Sequence, residues 1–367
     1  MTPPPAVHVA LPGGRSYAVH FEPLASAPRH LREAGLDGRV LVVTDGAVGP
    51  LWLDALAGPL RADGRAVEAL AVPAGEGSKT LAQYGAVLDW ALALGPDRRT
   101  PVLALGGGVV GDLAGFAAAT LLRGVPLVHL PTTTISQVDS AIGGKTGVNH
   151  AAGKNLVGAF HQPRLVLADP ATLATLPDRE FRSGLAEAVK HALISDADLF
   201  DRLVRQWDAL AGRRPGAVAA LVRDAAAVKA AVVEADEREA GDRALLNFGH
   251  TFGHALEREA GYGALTHGEA VALGMRAALH LSSSLAGGRT AGALSERFRA
   301  ADALVARLAP EPPALDRGAL VAAMASDKKR TAAGLRFVVL DAVGRARLAD
   351  DVPAAYVWAA WDYALGA

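Results

Sequence analysis

The sequence predicts a two-domain α/β protein, in which a Rossmann-like N-terminal domain with a mainly parallel sheet (residues 1–172) precedes a mostly α-helical domain (residues 173–367). Three observations predict it. The length of 367 residues suits two domains at about 150 residues each, and a 51% hydrophobic content supplies a core for both. In the first half, short Val- and Leu-rich runs alternate with helix-like stretches, the signature of βαβ units. From about Pro177, Ala, Glu, Arg and Leu dominate, and apolar residues recur at helical spacing.

The strand-like runs are 40–44, 67–72, 101–105, 125–130 and 165–167. Residues 102–122 are almost all apolar and long enough to span a bilayer, with one charge, Asp112. Three consecutive glycines and a change from a β-type to a small-residue helical pattern favour a strand, a glycine turn and a buried helix instead. Helices are expected over 178–194, 217–237, 247–260, 268–285 and 293–308, and the segment LRFVVLDAVGRARLAD reads as two strands turning at 342–344. The domain boundary falls within 169–178.

Composition narrows the function classes. Lys plus Arg number 37 against 38 Asp plus Glu, so there is no basic excess for holding nucleic acid through its phosphates, and no run of one sign. The absence of cysteine excludes a disulfide framework, a Cys-bound zinc and a thiol nucleophile, so any metal must sit on His, Asp or Glu. The opening MTPPPAVHVALPGG has no positive region followed by an apolar run, and the protein is read as cytoplasmic, with no membrane or nucleic-acid partner.

Four segments carry candidate chemistry. Gly106, Gly108 and Gly111 fit G-x-G-x-x-G between a strand-like and a helix-like run, where glycine lets a backbone approach a pyrophosphate at a helix N-terminus; a tight packing turn is the plainer alternative. This turn follows a later strand than usual, and Asp45 or Glu76 could take the ribose role. AIGGKTG fails as a P-loop because Asp139 stands where its first glycine belongs, leaving Lys145, with Lys154 and Asn155 of AAGKN, as two basic glycine turns suited to an anionic group or simply solvated. In NFGHTFGHALE, His250 and His254 share a helix face and His267 follows; three His, or two His with a carboxylate, would suit a catalytic zinc. In SGLAEAVKHALI, Glu187, Lys190 and His191 lie on one face flanked by apolar residues, so the carboxylate needs a metal or a base. Lys229, Arg243, Lys328 and Lys329 complete the inventory, each also readable as a solvated charge.

Taken together, PAGEGSK, LALGGGVVGDLAGFAAA, PTTTISQVDSAIGGKTGVN, GKNLVGAFHQP, GLAEAVKHALI, ADERE, RALLNFGHTFGHALE and HGEAVALGM resemble, in order from about residue 41 to 340, the 3-dehydroquinate synthase family of sugar-phosphate cyclases. The resemblance implies conversion of 3-deoxy-D-arabino-heptulosonate 7-phosphate to 3-dehydroquinate and phosphate in the shikimate pathway. The steps are transient oxidation by NAD, phosphate β-elimination, re-reduction and intramolecular aldol closure, with Zn²⁺ or Co²⁺ as the metal. It places the metal ligands on Glu187, His250 and His267, leaving His254 as a site residue. It places NAD against Asp45, Glu76, Gly77, Ser78, Lys79, Gly108, Val109, Val110, Gly111, Asp112, Thr132, Thr133, Lys145, Lys154, Thr172, Leu173, Ala174 and Thr175. It places substrate against Asp139, Lys145, Asn155, Lys190, Lys229, Arg243, Asn247, His254 and one of Lys328 and Lys329. Arg123 matches an arginine that reaches the neighbouring subunit's substrate, implying a homodimer. The chain departs from the family pattern at AAGKN, Ala141 and Asp242, positions of loop packing. A related cyclase with another sugar phosphate, or a metal-dependent polyol dehydrogenase, is the alternative.

Overall fold

A computed structural model describes residues 5–239, 241–261, 263–287, 293–326 and 335–366. Where the sequence expectation is one cut at 172/173, the chain divides into two compact units, residues 1–176 with 218–238, and residues 177–217 with 239–367.

The first unit opens with strands β1 (Val7–Val9) and β2 (Tyr17–His20), then helix α1 (Ala27–Glu33), β3 (Val40–Asp45), α2 (Gly49–Ala62), β4 (Val67–Val72), α3 (Leu81–Ala93), β5 (Val102–Gly106), α4 (Gly108–Thr120) and β6 (Leu127–Pro131). A hairpin, β7 (Lys145–His150) and β8 (Gly153–Phe160), precedes β9 (Leu165–Leu167). Seven strands form one sheet in the order β1-β2-β9-β6-β5-β3-β4, parallel except for β1 against β2. Both faces are covered. Val40 and Val42 enter the cluster that includes Leu56 and Leu60 of α2, while Leu41 and Val43 enter the one that includes Val110 and Leu113 of α4. That is why these strands read as unbroken apolar runs rather than alternating ones.

The sheet order explains the displaced glycine turn. From β3 the chain moves outward to β4, then returns to the other side of β3 through β5, β6 and β9, so the direction of winding reverses between β3 and β5. Ligands of open α/β sheets bind beyond the carboxyl ends of the strands at such a point, where β3 ends in Asp45 and β5 in Gly106.

The expectation of two basic glycine turns at Lys145 and Lys154 is corrected to one hairpin. Lys145 opens β7, and Gly153 to Asn155 open β8. Gly147 and Gly158 are register partners, and a Cβ on Gly158 would lie 2.1 Å from the Thr146 carbonyl oxygen. The two backbones pass too closely for a side chain, so glycine here belongs to strands although it weakens the strand signal. The strands β1 (VHV) and β2 (YAVH) also escaped the sequence reading, because each is short and broken by histidine rather than an unbroken run such as the LVL of β9.

His129 on β6 is buried, 4% exposed, and burial, with the nearby His161, pushes its pKa down to about 4. An imidazole held neutral in the fold contributes stability that is complete above its unfolded pKa of about 6.5 and is lost as pH falls from there to about 4. The loss assigned to this residue is roughly 3 kcal/mol over that window. In denaturant titrations, His129→Leu is expected to flatten the decline of stability between pH 6.5 and 4; parallel profiles for the two proteins would contradict it.

The second unit contains α5 (Asp178–Ser195), α6 (Ala197–Ala211), the start of α7 (Pro215–Ala235), α8 (His250–Glu259), α9 (His267–Leu285), α10 (Ala293–Ala306), α11 (Arg317–Ser326), the hairpin β10 (Phe337–Ala342) and β11 (Arg345–Ala349), and α12 (Ala354–Leu365). Residues 218–235 of α7 belong to the first unit. Phe252 of α8 packs at 5.5 Å from Phe337 and 5.1 Å from Trp361, ring centre to ring centre. The helix expected over 247–260 is shorter than predicted, because a 3₁₀ turn occupies Asp242–Asn247 and Gly249 takes the left-handed conformation (φ 78°) before α8 begins. Helix α9 starts on a capping box, with the Thr266 hydroxyl accepting from the Glu269 amide and the Glu269 carboxylate accepting from the Thr266 amide. Among the described residues no helix is long and apolar enough to cross a membrane.

Candidate functional site

In the second unit, three helices deliver one metal-ligating side chain each. Glu187 comes from the middle of α5, where its apolar neighbours bury it completely; His250 opens α8 and His267 opens α9. Glu187 Oε1 lies 3.3 Å from His267 Nε2 and 3.7 Å from His250 Nε2. One ligand atom from each of the three lies within 4.8 Å of the others. Two imidazole nitrogens and a carboxylate oxygen are the donor set of a catalytic zinc with a fourth position left open. Of the alternatives that spacing left open, the two-histidine-plus-carboxylate set is the one assembled. His254, one turn along α8, has its ring 5.5 Å from that of His250 and 6.3 Å from that of His267, beside the group rather than in it.

The surroundings orient these ligands. His250 Nδ1 is 3.2 Å from the Phe248 carbonyl oxygen and His267 Nδ1 is 3.4 Å from Glu257 Oε2, which leaves both Nε2 atoms toward Glu187. Such outer partners fix the tautomer and orientation of metal-bound histidines. Glu257, 8% exposed, escaped the sequence reading. The signal was available, since it lies three residues after His254 and seven after His250 on the same helix face. The Lys190 ammonium pairs with the other Glu187 carboxylate oxygen.

Burial and then the Lys190 charge push His250 well below the usual imidazole range. Burial alone would lower His267 too, but hydrogen bonds to the Glu187 and Glu257 carboxylates raise it to about 10. Without a metal the group therefore holds a proton on His267 at neutral pH, and a metal must displace it. Metal affinity is accordingly expected to rise about tenfold per pH unit below about 10. Calorimetric Zn²⁺ titrations at pH 6, 7 and 8 check this; an affinity independent of pH would contradict it.

In the first unit the predicted nucleotide residues gather at the carboxyl ends of the strands. Helix α4 begins directly after Gly107, without a side-chain cap, so its first amides are open to an anion. A Cβ on Gly106 would sit 2.7 Å from Val110 Cβ, and one on Gly107 2.8 Å from Thr133 Cγ2. Glycine is therefore required for the turn to pack. The Thr44 and Thr132 hydroxyls, at the ends of β3 and β6, are buried with no hydrogen-bond partner, as expected of groups placed for a ligand. The Asp45 carboxylate accepts from the amides of Ala47 and Val48 through one oxygen, at 2.9 and 2.8 Å.

A polar network joins several of these residues. Buried Lys79 donates to the Asp112 carboxylate and to the Asn155 side-chain oxygen. Burial raises the Asp112 pKa despite that lysine. Asn149 donates to Glu76 at 2.7 Å and accepts from the Asn155 amide at 2.9 Å. The turn Pro170–Thr175, which carries Thr172 to Thr175, is capped by Asp169. Fully buried Gln137 donates to the carbonyls of Pro131 and Asp169 and to the Thr172 hydroxyl at 2.8 to 3.1 Å. Neither Asn149 nor Gln137 was singled out from sequence, where both stand among other polar residues.

Among the predicted substrate residues, Asp139 lies in a single π-turn, Ser136–Ser140, a distortion frequent at functional sites, and accepts from Lys229 Nζ at 2.7 Å. Lys145 and Asn155 stand exposed on the hairpin, Lys154 half-buried between them. In the second unit Arg243 is buried on the 3₁₀ turn that ends at Asn247, whose amide donates to Glu239 and to the Ala244 carbonyl. Arg123 is exposed, and it and Leu122 both take left-handed backbone (φ 67° and 50°). Lys328 and Lys329 lie outside the described residues.

Comparison with known proteins adds the following. Residues 69–183 match the family profile described as 3-dehydroquinate synthase N-terminal, and residues 184–330 the one described as 3-dehydroquinate synthase C-terminal. The chain is 51% identical over 363 residues to a 3-dehydroquinate synthase of Salinibacter ruber, covering 98% of both chains. It is 45% identical over 344 residues to that of Nitrosomonas europaea, covering 94% of this chain and 92% of the other. Among solved structures, it is similar to a 2-epi-5-epi-valiolone synthase of Streptomyces hygroscopicus with NAD⁺ and Zn²⁺ bound (TM-score 0.83, 35% identity, 96% and 97% coverage). It is also similar to a 2-deoxy-scyllo-inosose synthase complexed with carbaglucose-6-phosphate, NAD⁺ and Co²⁺ (TM-score 0.85, 27% identity, 97% and 98% coverage). An iron-containing alcohol dehydrogenase, at 16% identity and a TM-score of 0.68, shares the fold.

Proposed function

The chain belongs to the 3-dehydroquinate synthase family, and we propose that it converts 3-deoxy-D-arabino-heptulosonate 7-phosphate to 3-dehydroquinate and phosphate. The observation that carries the reading is the Glu187, His250 and His267 group within a chain that matches this family almost end to end. NAD, with Zn²⁺ or Co²⁺, supplies hydride acceptance and return at one carbinol carbon and charge stabilisation at its oxygen.

The chain's residues divide the remaining tasks. Glu187, His250 and His267 hold the cation, with Glu257 and the Phe248 carbonyl fixing the rings. The open amides of α4, with Asp45, Glu76 to Lys79, Thr132, Thr133, Lys154 and the Thr172–Thr175 turn, hold the dinucleotide. Arg243 grips the substrate carboxylate, a shape that suits a guanidinium. Lys190, Lys229, Asp139 and Asn247 orient hydroxyls. Lys145, Asn155, His254 and Arg123 of the partner subunit hold the phosphate, which itself takes the proton lost in β-elimination. The first unit thus carries the nucleotide and the second the metal, in a cytoplasmic homodimer.

A phosphate-release assay on the heptulosonate phosphate tests this. The expected result is phosphate release with no net NADH, abolished by a chelator and restored by Zn²⁺ or Co²⁺. Net NADH growth, activity that survives chelation, or turnover only of another sugar phosphate would overturn it. Arg123 gives a separate test of the dimer. Arg123→Ala and Glu187→Ala are each expected to be inactive, but subunits mixed and reassorted should regain about a quarter of wild-type activity. Half of a random mixture is heterodimer, and each heterodimer of a two-fold assembly has one intact site. No recovery on mixing would assign Arg123 to its own subunit.

A further inference from the structure

We propose that His20, Glu22 and His30 form a second divalent-metal site, of zinc type, in the first unit. The three are brought together where β2 ends and α1 begins. His20 is the last residue of β2, Glu22 follows two residues later, and His30 lies on α1. One ligand atom from each lies within 4.8 Å of the others. Glu22 Oε2 is 3.5 Å from His30 Nε2, close to the roughly 3.4 Å between neighbouring ligands of a tetrahedral zinc with bonds of about 2.0 to 2.1 Å. The two imidazole ring centres are 3.9 Å apart at a tilt of 32°, and must open by about 1 Å for both to ligate one tetrahedral ion.

Two further observations separate this group from a chance cluster. His30 is 2% exposed, and its Nδ1 faces the Glu33 carboxylate, one turn on, at 3.5 Å, which leaves Nε2 on the side of Glu22. A cation already fills the position. The Arg29 guanidinium pairs with Glu22 and lies 3.2 Å from His30 Nε2. The Arg29 side chain is 49% exposed, free to swing into water when a divalent ion takes its place. Two imidazoles and a carboxylate favour zinc over the hard cations magnesium and calcium.

The site shares no residue with the catalytic group, so it can be counted separately. Equilibrium dialysis against micromolar Zn²⁺, followed by elemental analysis, is expected to give two zinc ions per wild-type chain. It should give one in Glu187→Ala/His250→Ala, and one in His20→Ala, which keeps its phosphate-release activity. Glu22→Gln, which preserves shape, covers the case in which His20→Ala fails to fold, and should weaken the second ion at least tenfold. Arg29→Ala is expected to tighten it, because a competing cation is removed, whereas a purely structural ion-pair cluster would only lose stability. One zinc in the wild type that disappears in Glu187→Ala/His250→Ala, or a second zinc indifferent to His20, Glu22 and Arg29, overturns the proposal.

Discussion

Glu187→Gln is expected to lower phosphate release by at least about a thousandfold while NAD⁺ binding survives. The amide keeps the size of the carboxylate but removes its charge from a completely buried position, where it faces His250, His267 and Lys190. Lewis-acid stabilisation of a developing alkoxide contributes several kcal/mol, and three orders of magnitude correspond to about 4 kcal/mol. The same change removes the anionic ligand, so metal affinity falls as well. The nucleotide residues lie in the other unit, and fluorescence titration with NADH should give a dissociation constant within a few-fold of wild type. A variant that turns over at a tenth of the wild-type rate or better would remove Glu187 from the metal site. A variant that loses NADH binding together with turnover would show a folding defect instead.

The second large effect is steric. Gly274 lies inside α9, and a Cβ there would be 2.1 Å from the Gly249 carbonyl oxygen and 2.8 Å from the Gly253 amide nitrogen. Both contacts are backbone, so no side chain can rotate away. Overpacking typically costs 1 to 3 kcal/mol, and here the start of α8 must move bodily. Gly274→Ala is therefore expected to destabilise the second unit by about 3 kcal/mol or more. It should also weaken metal binding at least tenfold, because His250 is the first residue of the displaced helix. Thermal unfolding with and without Zn²⁺ checks both parts. A variant with unchanged Tm and stoichiometric zinc would mean that α8 and α9 can separate without consequence.

The parts of the fold that were legible share one property. Strands β3, β4 and β9 are Val- and Leu-rich runs, broken in β4 only by Glu68, and their limits in the structure agree with the pattern to within a residue. Helices α5 and α9 likewise follow from apolar spacing. What stayed hidden is structure in which side chains are not the determinant. The β7–β8 hairpin is spelled largely in glycine because two backbones meet there, and α8 starts late because Gly249 turns left-handed. In the site, the ligands were visible as unusual residues in apolar surroundings, but Glu257, Asn149 and Gln137 were not. Each acts by holding another side chain, a relation that depends on distances in space rather than on spacing along the chain. The His20, Glu22 and His30 group was hidden for the same reason, joining a strand end, a loop and a helix.

Glu187, His250 and His267 come from three different helices, so the three-ligand set exists only once α5, α8 and α9 have packed. A partly unfolded chain offers this metal at most a pair such as His250 and His254, one helical turn apart, and two ligands hold an ion more weakly than three. Full affinity is therefore expected only after the second unit has folded, so the choice between zinc and cobalt falls to the free ions present at that moment rather than to those met during synthesis.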